Sequence, residues 1–145
     1  MSKKGVLGSL KMKIVGIIGP YISGGNRRLI DHNIANAQYV TIAIANRFGQ
    51  NGLVGFFCPH SHTARFEKLA EAPESYYHAL DDAIYDRVCD GFIILPNWRN
   101  SNGARRDRER ALEKIHRVSI FELDSYEEKE IETLLLSLEK WTLKK

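Results

Sequence analysis

Two hydrophobic periodicities alternate four times along this chain, and that alternation restricts the fold more than any other feature. Four short apolar runs, Ile14 to Ile18, Leu53 to Cys58, Gly91 to Leu95 and Val118 to Phe121, are rich in β-branched and aromatic residues. The first three are closed by Gly19-Pro20, Pro59 and Pro96, as buried strands are. Longer stretches with helical spacing lie between and after them. The first, Leu29 to Phe48, carries Ile30, Ile34, Ala37, Val40, Ile44 and Phe48 on one face. A second helix is expected from Ser75 to Cys89, with Tyr77, Leu80, Ile84 and Val88 on one side. A third opens near Ser101 and turns Ala104, Ala111, Leu112 and Ile115 inward. The last, Ser125 to Leu143, has Ile131, Leu134, Leu135, Leu138 and Trp141 as its stripe.

Strands that alternate with helices predict an α/β fold. The expected form is a single-domain parallel sheet of 4–5 strands flanked by helices, flavodoxin- or Rossmann-like, with right-handed crossovers. At 145 residues the chain has room for one such domain, expected over 13–145, with 1–12 as a flexible N-terminal segment. About 15 polar residues after the second strand, including His60, His62 and Thr63, read as a loop.

Composition narrows the function classes. Cys58 and Cys89 form neither a disulfide framework nor a metal-ligand pair, which points to a reducing cytoplasm. No apolar run nears the ~20 residues that span a bilayer, and MSKKGVLGSLKMK lacks the long apolar stretch of a signal peptide, so a soluble protein without membrane partners is expected. A formal net charge of +3, from 21 basic and 18 acidic residues, is too small to argue for nucleic acid. Basic residues do gather between Arg99 and Arg110, but acids interrupt them and no aromatic stacking set accompanies them.

In open parallel sheets, ligands bind beyond the carboxyl ends of the strands. That rule selects the segments Gly19 to Asn26, Pro59 to Thr63 and Pro96 to Gly103. The glycines of the first do not match G-x-G-x-x-G, and no Lys-Ser/Thr follows them, so nicotinamide and ATP lose support. Ser101-Asn102-Gly103-Ala104 starts a helix, where free N–H groups meet either an anion or a capping side chain. Asp107 follows Ala104 by three and precedes Ala111 by four, on the flank of the inward stripe, where a carboxylate must be paired, hydrated or used. Asp81, Asp82 and Asp86 lie on the helix before it, Asp82 opposite Leu80 and Ile84. His60 and His62 are too few for a metal site.

Taken together these residues resemble the nucleoside 2-deoxyribosyltransferase-like superfamily, particularly its small bacterial and phage branch, over Lys13 to Phe121. The markers are Ile18-Gly19-Pro20-Tyr21, Asn33-Ile34, Cys58-Pro59-His60, Asp82 with Cys89-Asp90, Leu95-Pro96-Asn97-Trp98, and Ser101-Asn102-Gly103-Ala104 leading to Asp107. The resemblance implies cleavage or transfer at the N-glycosidic bond of a nucleoside or nucleotide without metal or cofactor. Asp107 matches the carboxylate that attacks the anomeric carbon, where the transition state resembles an oxocarbenium ion. Asp82, with Asp81 as the alternative one residue away, would protonate the departing base. Gly19, Tyr21, His60 and Gly103 would border the substrate. Ser101 matches a serine that holds a 5′-phosphate in nucleotide-hydrolysing relatives, which favours a monophosphate. A homo-oligomer is implied as well. The family's nucleophile is usually glutamate, and aspartate is about 1.5 Å shorter, a misplacement that can cost on the order of 100-fold in rate. That departure leaves a competing reading: a non-catalytic module that binds or sequesters a nucleotide-derived ligand.

Overall fold

A computed structural model describes residues 11–21, 25–64 and 66–143. The expected N-terminal segment, apart from its last two residues, and the loop positions 22–24 lie outside them. The elements in chain order are β1 (Lys13–Ile18), α1 (Arg27–Phe48), β2 (Val54–Phe57), α2 (Pro59–His62), α3 (Phe66–Leu69), α4 (Glu74–Val88), β3 (Gly91–Ile94), α5 (Asn102–Leu112), β4 (Ser119–Glu122) and α6 (Glu128–Thr142), with a 3-10 turn at Trp98–Asn100. The four strands form one parallel sheet in the order β2-β1-β3-β4. This is the expected α/β architecture. Because the chain leaves β1 toward β2 and later crosses back to add β3, the topological switch lies between β1 and β3, where their carboxyl ends leave a crevice.

Strand alternation divides the core in two. Val15 and Ile17 of β1 and Ile93 of β3 pack with Val40, Ile44 and Phe48 of α1 and with Leu134, Leu138 and Trp141 of α6. On the other face Ile18, Phe92 and Ile94 meet Tyr85, Ala104 and Ala111 of α4 and α5. Arg47 joins the two helices of the first face by pairing with Glu132 at 3.0 Å and Glu139 at 2.6 Å.

Three expectations need correction. The polar stretch after β2 is not an irregular loop, for it holds α2 and α3. Pro59 starts α2 in its first turn, where a missing N–H costs nothing, and Ser61 and His62 donate to the Cys58 carbonyl. The buried face of α4 runs through Tyr85, while Val88 is 49% exposed. Tyr85 turns inward because its hydroxyl donates to the Ile17 carbonyl at 3.0 Å and its ring covers Gly16. Ile115 is exposed because α5 ends at Leu112, before the next inward turn.

Gly16 leaves the room that the Tyr85 ring occupies. A Cβ there would stand 2.8 Å from Tyr85 Cε1 and 3.0 Å from Cys89 Sγ. Gly16→Ala is therefore expected to destabilise the protein by about 1–3 kcal/mol, since close-packed cores yield little. Thermal denaturation checks this, and an unchanged Tm would contradict the packing described.

Candidate active site

A cavity of about 340 Å³ opens at the carboxyl ends of the central strands. Gly19 and Tyr21 follow β1, His60 comes from α2, and Tyr77, His78, Asp81 and Tyr85 come from α4. Ser101, Gly103, Ala104 and Asp107 come from the start of α5. Helical spacing decides which side chains face it. Tyr77, Asp81 and Tyr85 stand four apart, so Asp81 shares the inward face with two aromatic rings. Asp82 is rotated by about a third of a turn. On α5 the small Ala104 and Ala111 are buried against the sheet, and Asp107 lies between them on the cavity side. Ser101 caps this helix, its hydroxyl oxygen accepting from the Ala104 N–H at 3.1 Å.

Two of the carboxyls that line the cavity, Asp81 and Asp107, are held far from their ordinary ionisation. Burial pushes Asp81 up to about 7, reinforced by the negative charges of Asp107 and Asp82 and opposed by Arg106. Burial also raises Asp107, to about 6, but the adjacent Arg106 guanidinium restrains the rise. Arg106 Nη1 donates to Asp107 Oδ1 at 2.9 Å. One oxygen of Asp81, Oδ1, is buried without a protein hydrogen-bond partner. His60 is buried too, and burial lowers its pKa, so its ring is neutral near pH 7. Its Nε2 lies 2.8 Å from the Pro20 carbonyl and donates to it, which leaves Nδ1 as an acceptor without a protein partner. The Tyr21 ring meets His60 edge-on at 5.8 Å. Such a cavity can offer a proton from one carboxyl and negative charge from the other, between aromatic walls.

Of the residues expected at a site, Gly19, Tyr21, His60, Ser101, Gly103 and Asp107 all line this cavity. Asp82 does not. Its carboxylate pairs with Arg106 and with Arg110 Nε at 3.3 Å, whereas Asp81, its alternative, faces the cavity. Asp86 is likewise engaged, with Arg110 and Lys114. The arginines of α5 do not form a free basic face. Arg105 binds the Arg99 carbonyl and Asn102, and Arg108 pairs with Glu122 while stacking 4.2 Å from the Trp98 ring centroid. His62 packs edge-on against Phe57 outside the cavity.

Sequence reasoning missed Glu74, His78 and Phe66 as wall residues. His78 stands three before Asp81 and Glu74 seven before it, so helical spacing carried a signal for both, but none for Phe66. Among the described residues no group of three or more His, Cys, Asp or Glu could hold a metal ion, and no helix is long and apolar enough to cross a membrane. Searches against protein-family models and against curated proteins give no match to this chain.

Proposed function

We propose that this cavity cleaves or transfers at the N-glycosidic bond of a nucleoside or nucleotide, with Asp107 acting at the anomeric carbon and Asp81 protonating the departing base. The observation that carries this reading is the pair of carboxyls facing one cavity, Asp107 raised to about 6 and Asp81 to about 7. Glycosidic cleavage requires one carboxyl ionised while the other still holds a proton, and a pair raised together toward neutral pH can share one proton in that way. Asp107 supplies charge opposite an oxocarbenium-like sugar or attacks it directly, and Asp81 supplies the proton that lets a nitrogen base leave. Tyr77 and Tyr85, flanking Asp81, give a flat base aromatic walls.

Neither a cofactor nor a metal enters this reaction. On a 5′-monophosphate, the phosphate would meet the Ser101 hydroxyl and the free N–H groups that begin α5. Of that helix's arginines, Arg106, Arg108 and Arg110 are committed to Asp82, Asp86, Asp107 and Glu122, and Arg105 to the Arg99 carbonyl and Asn102. A cytoplasmic setting and assembly of several copies belong to the same proposal and rest on the sequence alone.

The pH dependence of base release tests this reading. Asp107 must be ionised, so kcat/KM rises as pH climbs through about 6, and Asp81 must be protonated, so it falls as pH passes about 7. The expected profile is a narrow bell with its maximum between those values, whose apparent constants belong to the pair together. A profile flat from about pH 5 to pH 8 would remove the division of roles.

A further inference from the structure

We propose that Arg106 is a positioning residue for Asp107, and that Asp82 is the anchor that holds Arg106 in place. Neighbours in a helix do not ordinarily face each other, yet Arg106 and Asp107 are joined at 2.9 Å. The contact forms because the guanidinium turns across the gap to α4. Its Nη1 bonds Asp107 Oδ1 and also Asp82 Oδ1 at 3.3 Å, while Nη2 bonds Asp82 Oδ2. A planar fork can hold two carboxylates at once, which a lysine ammonium does less rigidly. Arg110 completes the chain by holding Asp82 from the next turn of α5. Both carboxylates are mostly covered, each with 17% of its side chain exposed, while Arg106 is 41% exposed.

The charged and titratable groups around Asp107 show what Arg106 counteracts. From α4 come Glu74, Tyr77, His78, Asp81, Asp82 and Tyr85, and α2 adds His60. Besides burial, the like charge of Asp82 disfavours an ionised Asp107, while His78 and Arg106 favour it. Arg106 is the only one of these groups with a direct ion pair to Asp107 among the described residues. Without Arg106, burial and Asp82 would leave Asp107 protonated to a higher pH. Asp82 thus acts through Arg106 rather than as the acid. The consequence for rate rests on the glycosidic reading, but the ionisation of Asp107 does not.

The test is an NMR titration of the Asp107 side-chain carboxyl in the full chain, with its signal assigned by loss in Asp107→Asn. Arg106→Gln is expected to move the midpoint up by about one pH unit, as losing an opposite charge at contact does. Arg106→Lys, which keeps the charge, should return it toward the wild-type value. A midpoint unmoved in Arg106→Gln, or equal shifts in both variants, overturns the proposal, because a merely structural arginine would not distinguish glutamine from lysine by charge. Should Arg106→Gln not fold, Arg106→Met, which keeps a long unbranched stem but no charge, takes its place. The same rise of the midpoint is expected there, and a midpoint that stays or falls overturns the proposal. The NMR readout also separates the two claims. A wild-type protein without turnover whose Asp107 shifts as expected loses the glycosidic reading alone, and turnover with an unmoved Asp107 loses this one alone.

Discussion

Asp107→Asn should lower base release by about 1,000-fold or more while leaving ligand binding near its wild-type strength. Asparagine matches aspartate in size and can still accept the hydrogen bond from Arg106, so the cavity wall keeps its shape. What disappears is the negative charge facing the sugar. An interaction that strengthens only as positive charge develops at the anomeric carbon affects kcat, and its loss leaves ground-state binding largely intact. Thermal stabilisation by substrate should therefore persist in the variant. Wild-type turnover retained within about tenfold in Asp107→Asn would show that the carboxylate is not at the reacting centre.

Asp81→Asn is expected to make the protein more stable at pH 8 and much less active. Burial raises the folded-state value from 3.8 to about 7, so the folded protein keeps a proton that the unfolded chain has released. The stability contributed by that proton is fully present below about pH 4 and is lost as pH rises through about 7. At pH 8 the ionised carboxylate is a burden, its Oδ1 buried without a protein partner. The full linkage is about 4 kcal/mol, and partial exposure and coupling to Asp107 reduce it to about 2 kcal/mol. Asparagine removes that burden, raising Tm by about 4–8 °C at pH 8 and hardly at all near pH 4. Base release should fall by about 100-fold or more, since the leaving base loses its proton donor. Gain of stability with loss of activity is the signature of a strained functional group, whereas a lower Tm at both pH values would mark Asp81 as a packing residue.

The framework of this fold was legible because its long helices and central strands follow one rule each. In α1 the residues Ile30, Ile34, Ala37, Val40, Ile44 and Phe48 are buried as their spacing predicts, and so are all five stripe residues of α6. The helix beside the cavity was not legible in the same way. The apolar stripe Tyr77, Leu80, Ile84 and Val88 is the natural choice on hydrophobicity, yet the inward face carries Tyr77, Asp81 and Tyr85. A carboxyl occupies a core-facing position there, and such violations of pattern concentrate where a protein has a use for them. The choice between Asp81 and Asp82 turns on about 100° of rotation, set by how Tyr85 seats over Gly16, a tertiary contact no local spacing encodes.

The arginine run illustrates a different limit. Counting charges between Arg99 and Arg110 suggests a surface for an anion, but each α5 guanidinium is already held by Asp82, Asp86, Asp107, Glu122, Asn102 or a backbone carbonyl. Those partners come from α4, β4, the turn before α5 and α5 itself, distant in sequence except for Asp107, Asn102 and the Arg99 carbonyl. The short helices α2 and α3 escaped for a simpler reason, since four residues are too few to show a period.

The most direct test of the two-carboxylate account is chromatography of a mixed incubation. Wild-type protein and Asp107→Asn are each held near pH 6.5 with common deoxynucleosides and their 5′-monophosphates, and free bases are measured alongside ligand-induced thermal stabilisation. The account predicts free base from at least one substrate with the wild-type protein, almost none with the variant, and stabilisation of both by that substrate. Stabilisation of the wild-type protein without any free base would contradict it and place the cavity among binding sites that do no chemistry.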